Sequence, residues 1–311
     1  MDEVVSCRKA FSSTVEALAA QDNSIFVIAS DSRGSVTVGG FAERLPAQFI
    51  EVGIAEQNAV SIAAGMALAG KTVFVTGPAC FLSARSYEQV KVDVAYNKTD
   101  VKIIGVSAGV SYGPLGGTHT SLHDYAGFRA LPNLEIFAPS DSIQTQAITR
   151  YLAQSGKPAY MRTGRGDVEA IYNENEAFDI HKAKMVCNGT DVTLIACGET
   201  VWYAQQAAIQ LANKQISVRV LDMFCLKPVD ETAVITAAKE TKFIVTIEEH
   251  SIFGGLGEMV CGITAKSHPV PVITLGFPDD ECKIGKSNEL FAHYGLDTQG
   301  IINTVLKQMG R

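Results

Sequence analysis

"QFIEVGIAEQNAVSIAAGMALAGKTVFVT", residues 48–76, decides the fold. Two short runs rich in β-branched and aromatic residues, QFIEV at 48–52 and TVFVT at 72–76, flank a longer apolar stretch that opens after a turn at Gly53. The flanks read as strands and the middle as a helix, a unit that puts two parallel strands under one covering helix. One carboxylate, Glu56, falls in the opening turn of that helix. The later positions Ala59, Val60, Ile62, Ala63, Met66, Ala67 and Leu68 are apolar on nearly every face. A first-turn carboxylate is stabilised by the helix dipole and by free backbone N–H groups. Burial beside an apolar helix also disfavours its charged form, which suits a group that holds or donates a proton.

The same alternation extends in both directions. SIFVIA (24–29), VKIIGVS (101–107) and LEIFA (134–138) are further strands, and 83–97 and 141–154 read as helices, the rhythm of a parallel sheet covered on both faces. Residues 167–190 lose the alternation, turn polar and contain an Asn-Gly turn at 188–189, so they read as a linker. Strands then resume at 191–198, 216–222, 242–249 and 270–276, with helices expected at 199–213, 230–240 and 254–267. The expected organisation is two α/β domains, at 1–166 and 191–311, the second smaller than the first.

With 311 residues, 47% hydrophobic and 19% charged, the chain has ordinary globular composition. A net charge of −7 and the lack of a Lys/Arg cluster argue against nucleic acid as a partner. Seven cysteines, at 7, 80, 187, 197, 225, 261 and 282, are widely spaced and form no C-x-x-C pair, so reduced core thiols are expected rather than a disulfide framework or a zinc site. The start, MDEVVSCRKAF, is too acidic for a secretory signal, and no apolar run approaches the roughly 20 residues that span a bilayer. A soluble, cytoplasmic protein is expected.

Three further stretches could carry chemistry. In PACFLSARSYEQVKVDVAYNK (78–98), Phe81, Arg85 and Tyr87 lie where a strand gives way to a helix, the usual ligand end of an open α/β sheet. Such rings are either core or a platform for a heteroaromatic ligand. GVSYGPLGGTHTSLHDYAGFRALPN (109–133) carries glycines at 109, 113, 116, 117 and 127, implying tight turns and close backbone approach. Its His119 suits acid/base work; His123, four residues on, raises a helical metal pair, although no third ligand is evident. PAYMRTGRGDV (158–168) sets Arg162 and Arg165 just past a strand, where guanidinium groups could hold a phosphate. EEHSIFGGLGE (248–258) mimics a G-x-G-x-x-G loop with the wrong spacing, and glycines for helix packing explain it as well.

In order, G-x-x-E-Q before the apolar helix, F-x-x-x-R-x-Y-E-Q, the glycine loop ending in G-x-T-H, ALPN and RTGRG resemble the pyrimidine-binding domain of transketolases. The last third, with EEHSIFGGLGE, resembles their C-terminal domain. The resemblance implies a thiamine diphosphate-binding fold followed by the smaller transketolase C-terminal domain, and transfer of a two-carbon ketol unit from a ketose, phosphorylated in the family, to an aldose. It implies that Glu56 bonds N1′ of the cofactor's aminopyrimidine, that Phe81 packs on that ring with Arg85 and Tyr87 nearby, and that His119 contacts the substrate oxygen. Arg165 then matches the sugar-phosphate arginine, with Arg162 beside it, Ser35 a second phosphate contact and Asp31 a hydroxyl contact.

Family members hold the diphosphate through Mg²⁺ on a domain marked by G-D-G, a tripeptide this sequence lacks. The resemblance therefore implies the C-terminal half of a split enzyme, active with an N-terminal subunit that supplies the diphosphate and metal sites in an α2β2 assembly. At two substrate-reading positions the family has histidine and aspartate where this chain has Ser107 and Leu115. Branched, deoxy and sulfonated sugars thus stay open as substrates. The alternatives are the β subunit of a 2-oxo acid or acetoin dehydrogenase-type enzyme, and a non-catalytic scaffolding or regulatory subunit.

Overall fold

The computed structural model describes residues 5–281 and 283–311. Twelve strands lie in this portion: β1 (Ile25–Ala29), β2 (Phe49–Glu51), β3 (Thr72–Pro78), β4 (Val101–Val106), β5 (Glu135–Phe137), β6 (Ala159–Thr163), β7 (Lys184–Cys187), β8 (Val192–Ala196), β9 (Val218–Asp222), β10 (Cys225–Lys227), β11 (Ile244–Ser251) and β12 (Val272–Phe277). They form a seven-stranded sheet, ordered β10-β5-β6-β4-β3-β1-β2, and a five-stranded sheet, ordered β12-β11-β8-β9-β7. The central strands are parallel and buried along their length, as β4 and β8 show, because helices cover both faces. These are the two α/β layers expected from the alternation. The described cysteines, 7, 80, 187, 197, 225 and 261, are all free thiols; Cys282 lies outside the described residues. Among the described residues no helix is long and apolar enough to cross a membrane.

The structure departs from the sequence reading in four places. Residues 184–187, inside the stretch read as a linker, form β7, which pairs antiparallel with β9 at the edge of the second sheet. After β9 the chain turns back to the first sheet, where β10 pairs antiparallel with β5 and covers its otherwise open edge. The helix expected at 83–97 starts earlier, at Ala79, is interrupted at Ser86 and continues through Val90–Tyr96 as a π-helix. The Glu56 helix, Glu56–Leu68, buries one face only, through Ala59, Val60, Ala63 and Ala64. Ile54 and Leu68 at its two ends are 76% and 74% exposed.

Polar side chains join the two sheets. Asp222, at the end of β9, is fully buried and accepts hydrogen bonds on Oδ2 from Ser140 Oγ (2.9 Å), Gln144 Nε2 (2.9 Å) and Tyr172 Oη (2.8 Å). Its Oδ1 has no hydrogen-bond partner. Burial pushes this carboxyl up to about 7, against hydrogen bonds that pull it down. An acid that is protonated when folded and ionised when unfolded loses stability as pH rises from its unfolded value, near 4, toward 7, and the cost is complete above 7. Asp222→Asn keeps the shape and removes the ionisation. Between about pH 4.5 and pH 8 the variant is expected to lose roughly 2–4 kcal/mol less than the native chain in urea unfolding. Glu199 and Glu248 keep part of the slope, since burial raises them to about 8 and about 7. An unchanged slope would show that Asp222 ionises alike in both states.

Candidate functional site

The site begins at the C-terminal ends of the parallel strands, where loops leave the first sheet. Glu56 is the first residue of its helix, and its side chain is 7% exposed. Arg85 Nη1 donates to Glu56 Oε1 at 2.8 Å; among the described residues Oε2 has no hydrogen-bond partner. The Arg85 guanidinium also lies over the Phe81 ring, 4.1 Å from its centroid. Phe81 in turn meets His119 edge-on, with ring centroids 5.3 Å apart at 68°. His119 Nδ1 lies 2.9 Å from Thr118 Oγ1. Four of the residues singled out in the sequence therefore form one continuous row: Glu56, Arg85, Phe81 and His119. A buried carboxyl with one free oxygen, linked through Arg85 to an aromatic ring, suits a nitrogen heterocycle that hydrogen-bonds at its edge and stacks on its face.

The row continues through Tyr112. Its ring centroid is 5.9 Å from that of His119, at 80°, and its hydroxyl accepts from Arg165 Nη1 at 2.8 Å. Arg8, in the helix Cys7–Ala19, donates through Nη1 to the Ser35 carbonyl at 2.8 Å, while its buried Nε has no partner. Burial and the nearby Arg165 both push the Arg8 guanidinium down from its usual range. Two guanidinium groups that repel each other at the mouth of a cleft gain from an anion between them. The cleft there has a volume of about 720 Å³ and is lined by Arg8, Lys9 and Arg165 on one side and by Glu199, Trp202 and Glu249 of the second domain on the other. Asp31 stands apart: it is exposed, with left-handed backbone (φ 45°), and its N–H donates to Glu51 Oε1.

Arg162 is not available to a phosphate, contrary to the sequence reading. It is buried at the end of β6, pairs through Nη1 with Asp124 Oδ1 at 3.0 Å and donates through Nη2 to the Glu249 carbonyl at 3.0 Å. Its guanidinium also covers the Tyr125 ring. Burial alone would lower the pKa of Arg162, but Asp124, Tyr125 and Glu249 more than offset it and hold the charge. Around it, burial pushes Glu249 up to about 7, and pushes His250, stacked on Tyr125, down to about 4, so this imidazole is neutral at neutral pH. Tyr87 is likewise turned inward: its ring stacks on Phe128 and its hydroxyl donates to the Gly127 carbonyl, so it packs the core rather than walling the Phe81 ring.

The helical metal pair is not formed. Residues 117–123 are not helical, and His123 Nε2 faces Ser83 Oγ at 3.5 Å, away from the contacts of His119. Among the described residues no group of three or more His, Cys, Asp and Glu side chains could hold a metal ion. The described residues therefore offer no donor set that fits Mg²⁺. Ser107 is buried with left-handed backbone (φ 57°) and an unpartnered hydroxyl, whereas Leu115 is 56% exposed.

Sequence reasoning missed Arg8, Tyr112 and Glu199. The signal for Tyr112 was present, since one aromatic sat in a glycine-rich loop that gives it no core to join. Arg8 lies in an amphipathic helix and reads as a surface charge until the loop carrying Ser35 packs on it.

Two family models match the chain: the transketolase pyrimidine binding domain over residues 3–170 and the transketolase C-terminal domain over residues 181–301. An apulose-4-phosphate transketolase subunit of Phocaeicola vulgatus is 52% identical, the match covering 98% of each chain. A 6-deoxy-6-sulfo-D-fructose transketolase subunit of Clostridium sp. is 34% identical over 91% of this chain and 88% of that protein. A solved split-gene transketolase, described as an inactive β4 tetramer, superposes with a TM-score of 0.88 at 33% identity, covering 98% of each chain.

Proposed function

This chain belongs to the transketolase family, and from that premise we propose that it is the C-terminal subunit of a two-chain, thiamine diphosphate-dependent transketolase that takes a two-carbon ketol unit from a ketose phosphate. The observation that carries the reading is the unbroken row from Glu56 through Arg85, Phe81, His119 and Tyr112 to Arg165. It sets a carboxylate and an aromatic ring at one end and an anion site at the other.

When bound, thiamine diphosphate supplies the carbon that accepts and releases the ketol unit. The residues of this chain orient and protonate. Glu56 would bond the pyrimidine ring nitrogen through the oxygen that Arg85 leaves free. Phe81 would lie against the ring, and the apolar helix behind Glu56 keeps water from the carboxyl. His119 hydrogen-bonds the substrate oxygen at the bond being cleaved or formed. Arg165 and Arg8 hold the phosphate at the cleft mouth, with Ser35 beside them and Asp31 at the outer edge.

The diphosphate and Mg²⁺ are held by an N-terminal partner subunit within an α2β2 assembly. The exposed Ile54 just before the Glu56 helix, Leu68 at its end, and Tyr96 on the neighbouring π-helix favour such association because they leave apolar surface for other chains. The likeness to the Phocaeicola protein favours apulose 4-phosphate as donor. The Arg8 and Arg165 site, which recognises a tetrahedral oxyanion, accommodates a sulfonate by the same chemistry. A buried carboxylate aligned with an aromatic row favours catalysis over a scaffolding role.

The test mixes this chain with its partner subunit, thiamine diphosphate and Mg²⁺ and follows ketol transfer from apulose 4-phosphate, 6-deoxy-6-sulfofructose and unbranched ketose phosphates. Turnover only with lipoamide as acceptor would overturn the reading in favour of the dehydrogenase class. Arg8→Ala and Arg165→Ala are each expected to raise KM for the phosphorylated donor about 10–100-fold with little change in kcat, as loss of a charge-assisted hydrogen bond to the bound anion requires. Equal KM values for native and variant enzymes would remove the phosphate from this end of the cleft.

A further inference from the structure

The Tyr112 loop is fixed from outside the first domain. Val110 N–H donates to Glu249 Oε1 at 2.8 Å and the Val110 carbonyl accepts from Ser287 Oγ at 3.1 Å. Gly109 sits so close to Glu249 that a Cβ there would lie 2.1 Å from the carboxyl carbon, and its φ of 58° is one that glycine adopts without strain. Gly113 packs equally tightly against the Gly285 backbone. The second domain thus pins the backbone on both sides of Tyr112, so the phenol is placed by the scaffold rather than by a free loop.

Tyr112 contacts both ends of the proposed substrate path. Its ring is 5.9 Å from the His119 ring and 4.9 Å from Arg165 Cζ, distances that bound the separation of His119 and Arg165 at about 11 Å. The hydroxyl oxygen accepts from Arg165, and its own proton has no acceptor among the described residues. A phenol that already accepts from a cation is a stronger donor to a third group.

We propose that Tyr112 determines substrate length: its ring spaces Arg165 from His119, and its hydroxyl donates to a hydroxyl or phosphate oxygen of a short-chain ketose phosphate lying between them. The inference rests on the reading of His119 and Arg165 as the two ends of the substrate. A longer sugar phosphate anchored at Arg165 overshoots His119 or must buckle against the ring. The hydroxyl also holds the guanidinium in the orientation that meets the anion, so Tyr112 acts both directly and through Arg165.

The test uses the assembled enzyme with its partner subunit, thiamine diphosphate and Mg²⁺, and ketose phosphates of four, five and six carbons beside an unphosphorylated ketose. Tyr112→Phe is expected to raise KM for the short phosphorylated ketoses about tenfold, with kcat within about twofold and a smaller change for the unphosphorylated sugar. Tyr112→Ala is expected to erase most of the preference for short over six-carbon phosphates. A purely structural role would instead lower the unfolding midpoint and reduce kcat alike for every sugar. If native enzyme turns over but both variants keep its KM values and its length preference, the proposal is overturned while the transketolase reading stands. If native enzyme with its partner transfers no ketol unit, that reading falls and takes the proposal with it.

Discussion

Glu56→Gln is expected to lower ketol transfer by about a thousandfold or more while the chain still folds and assembles with its partner. Glutamine keeps the shape and one carbonyl oxygen but cannot hold or release a proton, and proton transfer by a positioned side chain is typically worth 10²–10⁴ in rate. The free Oε2 and the burial of the carboxyl leave it placed to bond a bound heterocycle. Structural losses are small by comparison. A first-turn carboxylate contributes about 0.3–1 kcal/mol to its helix. The pair with Arg85, whose side chain is half-exposed, adds no more than a surface ion pair, about 0–1 kcal/mol. The measurement is kcat of the assembled variant beside its elution volume and urea midpoint. Turnover within tenfold of native, with assembly intact, would return Glu56 to the role of helix-terminal carboxylate.

Replacing Arg162 with methionine should cost about 3–5 kcal/mol of stability, because it strands Asp124 and the Glu249 carboxyl in the interior without their cation. Tyr160 Oη, 2.6 Å from Asp124 Oδ2, compensates only part of one charge, and the neutral His250 supplies none. The loss has a pH signature. Without the guanidinium, which now pulls it down, the buried Glu249 carboxyl is pushed further up, so it is protonated when folded and ionised when unfolded over a wider range, and stability falls as pH rises. The destabilisation is expected to be smaller at about pH 5 than at about pH 8. Urea unfolding at both values reads it. A variant with native stability and a raised KM for phosphorylated donors would restore Arg162 to the phosphate site that its position after a strand first suggested.

The contrast between Arg162 and Arg165 shows where sequence reading stops. Both stand in MRTGRG, and nothing local separates them. Arg162 still belongs to β6, opposite Gly105 of β4, and points into the joint between the domains, where Asp124 and Glu249 arrive from 38 and 87 residues away. Arg165 lies past the strand end and reaches the cleft. The aromatics 81 and 87 divide in the same way: Phe81 faces Arg85 and His119, whereas Tyr87, past the break at Ser86, stacks on Phe128.

By itself the sequence determined the two α/β layers, the helix that starts at Glu56 and the family, because strand and helix periodicities are local and the motifs keep their order along the chain. The placement of Glu56, Phe81 and His119 at one end of the first sheet was legible for the same reason, since each begins or follows an element whose type its neighbours fix. Only the tertiary structure decided that Arg8 and Tyr112 join them, that Arg162 and Tyr87 do not, and that β10 crosses back to close the first sheet. Those outcomes depend on which side chains converge when the second domain pins the loop at Val110 and Gly113, and convergence between distant segments leaves no periodic trace in the chain.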